Sequence, residues 1–156
     1  QYYGPDFPLE RFTEARRAFI GEQVAPLKPG VHELMDVLDA MNAPLGLATS
    51  SRRPWVERHF AAHGLSDRFR AVVTRQDCIN GKPDPEPYVR ASAALDFAPE
   101  HVLALEDSHP GVRSAHAAGC VTIMIPDLLQ ADHEMRAKAH VVNTLHNVRR
   151  LLLGLA

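Results

Sequence analysis

Four short apolar runs alternate with stretches of helical periodicity along this chain. That alternation limits its fold more than any other feature. The runs are PLGLAT (44–49), RAVVT (70–74), HVLALE (101–106) and CVTIMI (120–125), and a shorter one, HVV (140–142), follows. Each is too short for a helix and is bounded by turn or cap residues, as in strands buried on both faces. Helical periodicity fills the intervals at 53–64, 85–95 and 110–118, and again at 144–153. Strands that alternate with helices predict an α/β fold with a parallel sheet. Right-handed crossovers then bring the strand C-termini to one edge, where open α/β sheets bind their ligands.

The punctuation agrees with this plan. Asp84 suits an N-cap, with Pro85 at the first helical position, and Gly64 and Gly119 suit helix ends. Upstream, residues 8–22 read as a helix with Leu9, Phe12, Ala15, Phe19 and Ile20 on one side. The segment APLKPG breaks it, and a second helix is predicted over about 30–41. With 46% hydrophobic and 23% charged residues, the 156-residue chain can bury a core. A net charge of −2 offers no basic footprint for nucleic acid. No apolar run is long enough for a membrane span, and the opening QYYGPDFPLERF lacks the charged and apolar regions of a signal peptide. A cytoplasmic protein is therefore expected. Cys78 and Cys120 lack metal-binding spacing and are expected to be reduced, buried thiols.

The polar residues just beyond the strands carry the chemistry. Thr49, Ser50 and Ser51 follow the first run, Lys82 lies in the loop after the second, and Glu106 and Asp107 end the third. A hydroxyl and an ammonium suit a phosphate. Adjacent carboxylates suit Mg²⁺, a hard cation that takes oxygen ligands and retains water. Each feature also has a plainer account. Thr49–Ser51 could cap the next helix, Lys82 could be a solvated loop lysine, and Glu106 and Asp107 could favour the start of the helix at Pro110, with Ser108 as its cap. The joint order along successive strands favours one site.

The stretches ATSS, GKPDPEPY and LEDSHPGVRSAHAAG resemble motifs II, III and IV of the haloacid dehalogenase superfamily, nearest its phosphatase and β-phosphoglucomutase-like branch. The resemblance covers about residues 26–150. It implies a three-layer Rossmann-like core with a parallel sheet. It also implies phosphoryl transfer through an aspartyl-phosphate. By the same resemblance, Thr49 would hydrogen-bond the transferring phosphoryl group, and Ser50 and Ser51 would contact phosphate or substrate. Lys82 would offset negative charge. Glu106 and Asp107 would hold Mg²⁺, with Asp107 the direct ligand, and Gly111 matches a glycine early in the motif IV helix.

Motif I, an apolar strand ending in DxDGT, has no counterpart: the sequence contains no DxD. Asp6 lies between prolines, and Asp36 and Asp39 fall within a predicted helix. The resemblance therefore places the nucleophilic aspartate upstream of Gln1. Residues 1–25 would be the last part of a helical cap and 26–156 an incomplete core. In the family the motif I strand lies between the strands that end at Thr49 and Glu106. Its absence would leave two unpaired strand edges, which are costly. An upstream segment, a partner chain or a strand-swapped homo-oligomer is expected to cover them. The expected function is a Mg²⁺-dependent phosphatase of a small phosphorylated metabolite. The alternatives are a phosphosugar mutase and an inactive fragment that binds phosphate ligands or protein. A receiver-like domain fits less well, because its acidic pair should precede the hydroxyl and lysine.

Overall fold

The computed structural model describes residues 7–20 and 23–155. Helix α1 spans Leu9–Ile20, so the last two residues of the predicted helix lie outside the described residues. Leu9, Phe12 and Ala15, on its predicted apolar side, are exposed. Helix α2 (Val31–Ala40) leads into β1 (Gly46–Ala48), α3 (Arg53–His63) and β2 (Ala71–Val73). After a 3-10 turn at Arg75–Asp77 come α4 (Glu86–Ala94), β3 (Leu103–Glu106), α5 (His109–Ala118) and β4 (Val121–Met124). Helix α6 (His133–Lys138), β5 (His140–Val141) and α7 (Leu145–Leu152) complete the order. The α/β alternation is as predicted, except that the sequence assigns no element to the stretch that forms α6. It is a short helix capped by Asp132, whose carboxylate accepts from Met135 N–H at 2.8 Å.

The strands do not form one sheet. β1 and β2 pair in parallel, with Gly46 opposite Ala71 and Ala48 opposite Val73. β3, β4 and β5 form a second parallel sheet, with Leu103 opposite Val121 and Glu106 opposite Met124. Between β1 and β3 runs an apolar cavity of about 610 Å³, lined by residues of both strands and of α2, α4 and α7. The inner strands of a parallel sheet are normally buried on both faces. Yet β1 runs from exposed to half-buried, whereas both ends of its partner β2 are buried. Among the described residues β1 and β3 thus each have one ladder partner, and both strands line the cavity.

Elsewhere the core closes. Leu34 of α2, Ile123 of β4 and Val148 of α7 form one buried cluster. Val112, Met124 and Met135, none measurably exposed, form another and account for α6: burial of Met135 holds the helix down. Tyr88, Ala104, Ala115 and Cys120 form a third, against which Ala48 of β1 packs. The two cysteines are free and buried, as expected. No described helix is long and apolar enough to cross a membrane.

Candidate active site

The chain connecting β2 to α4 carries Lys82, and side chains pin it on both flanks. Asp77 accepts from Thr74 N–H at 2.7 Å, from the Thr74 hydroxyl at 2.6 Å and from Arg53 Nη2 at 2.8 Å. These bonds, led by those from Thr74, hold its carboxyl below the ordinary range. Glu86 accepts from the N–H groups of Ile79 and Asn80 at 3.1 and 2.7 Å, which likewise lowers its carboxyl. Asp84 was expected to cap α4, but the N-cap is Pro85, with no side-chain cap bond, because the helix begins one residue later; Asp84 accepts from Glu86 N–H at 2.9 Å just before it. Its carbonyl accepts from the buried Ser114 hydroxyl of α5 at 2.6 Å. Helix α5 thus fastens the loop beneath the motif it carries itself.

Lys82 is aimed at Glu106. The two side chains form an ion pair, 11% and 5% exposed. Tyr88 donates its phenol to the same oxygen, Oε1, at 2.5 Å, and its ring lies 5.0 Å from the lysine nitrogen. The other oxygen, Oε2, accepts from the Ser108 hydroxyl at 3.3 Å. Ser108 also caps α5, accepting from Gly111 N–H at 3.2 Å, as the sequence predicted. Burial, and then the neighbouring carboxylate, push the Tyr88 phenol far above its usual range, so it remains a donor.

Thr49 directly follows the C-terminal end of β1. Its hydroxyl oxygen accepts from Ser51 N–H at 3.1 Å, which leaves the hydroxyl proton free to donate outward. The alternative that Thr49–Ser51 cap the next helix does not hold. The N-cap of α3 is Arg52, with no side-chain cap bond. No described hydrogen bond joins Thr49, Ser50 or Ser51 to Lys82 or Glu106. The solvated-loop reading of Lys82 also fails, given its burial against Glu106.

Glu106 and Asp107 differ sharply in environment. Glu106 is 7% exposed and already holds three donors. Asp107 is exposed, and no described hydrogen bond or ion pair engages its carboxylate. Among the described residues no three His, Cys, Asp or Glu side chains gather as a closed metal cage. The donor set fits Mg²⁺ better than a caged metal, because Mg²⁺ needs only one or two carboxylates beside water and substrate oxygens. Asp107 fits as a direct ligand. Glu106 fits as a neighbour that fixes the local charge.

Tyr88 escaped the reading of polar residues beyond strands because it sits on a helix. Its signal was a tyrosine on the core face of the helix that follows GKPDP. A second feature was also missed. His59 of α3 is 8% exposed, and its Nε2 accepts from Ala25 N–H at 3.0 Å. The proton on that ring must therefore lie on Nδ1, which donates to Trp55 O at 2.8 Å. His63 Nε2 donates to Ala25 O at 2.8 Å. Two histidines thus clamp the segment that joins α1 to the core.

The chain is similar to known proteins in sequence and in fold. The chain is 32% identical over 128 residues to a bifunctional riboflavin kinase/FMN phosphatase of Arabidopsis thaliana, covering 81% of this chain and 34% of that protein. It is 31% identical over 115 residues to a phosphoglycolate phosphatase of Shigella boydii, covering 74% of this chain and 46% of that protein. The chain thus spans less than half the length of either relative. Among solved structures it resembles CbbY of Rhodobacter sphaeroides in complex with phosphate, with a TM-score of 0.77 at 25% identity over 94% of this chain and 68% of that one. Residues 6–125 match the family model described as haloacid dehalogenase-like hydrolase. With that match over most of its length, the chain belongs to the haloacid dehalogenase-like hydrolase family.

Proposed function

We propose that this chain is the main part of the core of a magnesium-dependent phosphatase acting on a small phosphorylated metabolite. The observation that carries the reading is the buried Lys82–Glu106 pair beside the exposed, unengaged Asp107 at the C-terminal end of β3. The phosphatase relatives agree with it. Lys82 brings a fixed positive charge toward the phosphoryl oxygens, and Glu106 keeps it in place. Thr49 donates its free hydroxyl proton to a phosphoryl oxygen, with Ser50 and Ser51 beside it for substrate contacts. Asp107 supplies a hard oxygen ligand, and Mg²⁺, when bound, would neutralise and orient the phosphate.

The nucleophile belongs to an aspartate on a strand that fills the position between β1 and β3. The open edges of both strands and the apolar cavity between them support that placement. The segment up to residue 25 is proposed as the end of a cap that selects the substrate. One observation favours a second reading: the absence of DxD from the sequence fits a module that binds phosphate without turning it over.

Release of inorganic phosphate from a panel of small phosphomonoesters by the full protein distinguishes the two. The phosphatase reading expects release that stops with EDTA and returns with Mg²⁺. Phosphate binding without any release would establish the second reading instead.

A further inference from the structure

We infer that Tyr88 is a positioning residue for this site, setting the Lys82–Glu106 pair through its hydroxyl. The inference rests on the phosphatase reading above and extends it to Tyr88, which ends the stretch GKPDPEPY and was given no role there.

Glu106 has two oxygens and is enclosed. Oε1 takes two donors, the Lys82 ammonium and the Tyr88 phenol, the latter at 2.5 Å. Among the described residues, Oε2 takes only the Ser108 hydroxyl, at 3.3 Å. The stronger pull is therefore on Oε1, toward α4, and it sets the rotation of the carboxylate. Tyr88 acts on the other partner too, since its ring lies 5.0 Å from the Lys82 nitrogen. Packing fixes the tyrosine itself: it is 8% exposed and lies in the cluster of Ala104, Ala115 and Cys120. A rigid aromatic base thus holds both members of a charge pair. Without the phenol, Oε1 would lose one of its two donors inside the core, and Lys82 and Ser108 alone would set the carboxylate.

Groups that orient a metal site from behind typically change metal affinity or activity by about 10- to 100-fold when removed. The discriminating variant is Tyr88→Phe, which keeps the ring and deletes only the hydroxyl. The readouts in the full protein are Mn²⁺ affinity, by electron paramagnetic resonance, and kcat and KM for p-nitrophenyl phosphate. Tyr88→Phe is expected to weaken Mn²⁺ binding and lower kcat, each by about tenfold, with KM little changed. The same change made in a Glu106→Gln background is expected to have almost no further effect on Mn²⁺ affinity, because the tyrosine acts through the carboxylate.

Wild-type Mn²⁺ affinity and kcat in Tyr88→Phe would overturn the inference. So would an equal penalty in both backgrounds, or a lowered Tm with metal affinity intact, which marks a purely structural tyrosine. Failure of the wild-type protein to bind Mn²⁺ or release phosphate would overturn the phosphatase reading, and this inference with it.

Discussion

A β-carbon on Gly111 would stand 1.8 Å from Oε2 of Glu106 and 2.1 Å from its carboxyl carbon. The first turn of α5 therefore presses its backbone directly against the acidic side chain that ends β3, and only glycine permits the approach. The carboxylate cannot retreat cheaply, because Lys82, Tyr88 and Ser108 already hold it. Gly111→Ala is expected to displace Glu106 from this setting. Overpacking of this kind costs about 1–3 kcal/mol. The variant should lower Tm by several degrees and reduce phosphate release more than tenfold; calorimetry and a turnover assay check both.

From sequence alone, Lys82→Ala should cut turnover and leave the fold largely intact. The burial of the pair revises the second half. Truncating Lys82 leaves a carboxylate that is 5% exposed without its counter-charge. Breaking a buried pair from one side costs about 3–5 kcal/mol. Denaturant unfolding should show a marked loss in Lys82→Ala and a smaller one in Lys82→Met, which fills the space. Both variants should lose turnover strongly. The exposed Asp107 provides the contrast: Asp107→Ala should weaken metal activation with no change in unfolding midpoint.

The clamp on Ala25 makes a separate prediction. His59→Leu removes the acceptor for Ala25 N–H and the donor to Trp55 O. Ala25 is itself exposed, so its freed N–H can turn to water, and the loss falls on the anchoring of the segment rather than on a buried donor. Limited proteolysis should cut faster within residues 23–30 of the variant. Unchanged cleavage would mean that His63 alone holds the segment, through its bond to Ala25 O.

Acid should loosen the loop that carries Lys82. The Asp77 carboxyl is held below its ordinary value of 3.8 chiefly by Thr74, and Glu86 below 4.5 by the backbone of Asn80 and Ile79. A lowered carboxyl binds its proton more weakly folded than unfolded, so its stabilisation is complete above the unfolded value. It is lost as pH falls through the folded one. Tm should therefore be flat above about pH 5 and fall below about pH 4. Asp77→Asn should start lower at neutral pH and fall less steeply in acid, which a series of melts across that range would show.

Much of this was legible in the sequence, because periodicity and caps are local. The order of strands and helices, Ser108 as the cap of α5 and Gly119 as its stop could be read directly; Gly119 takes φ 92°. The strands are shorter than their apolar runs, since only residues with a ladder partner count as strand. Thr49, for instance, donates to Val73 O at 2.9 Å but lies beyond β1. Helix α6 was missed because its six residues owe their order to the burial of Met135, a tertiary effect. Tyr88 and Gly111 were invisible as partners of Glu106 for the same reason. A sequence shows which residues follow each strand, but not which helix returns beneath it.

The central claim is that Thr49, Lys82 and Asp107 surround one phosphoryl group. The most direct measurement is a crystal structure of the full protein soaked with Mg²⁺ and beryllium fluoride, a mimic of a phosphoryl group on a carboxylate. The fluoride adduct is expected on an aspartate between β1 and β3. The Thr49 hydroxyl and the Lys82 ammonium should donate to its fluorines, and Asp107 should ligate the metal. An adduct elsewhere, or one that Lys82 does not approach, would contradict it.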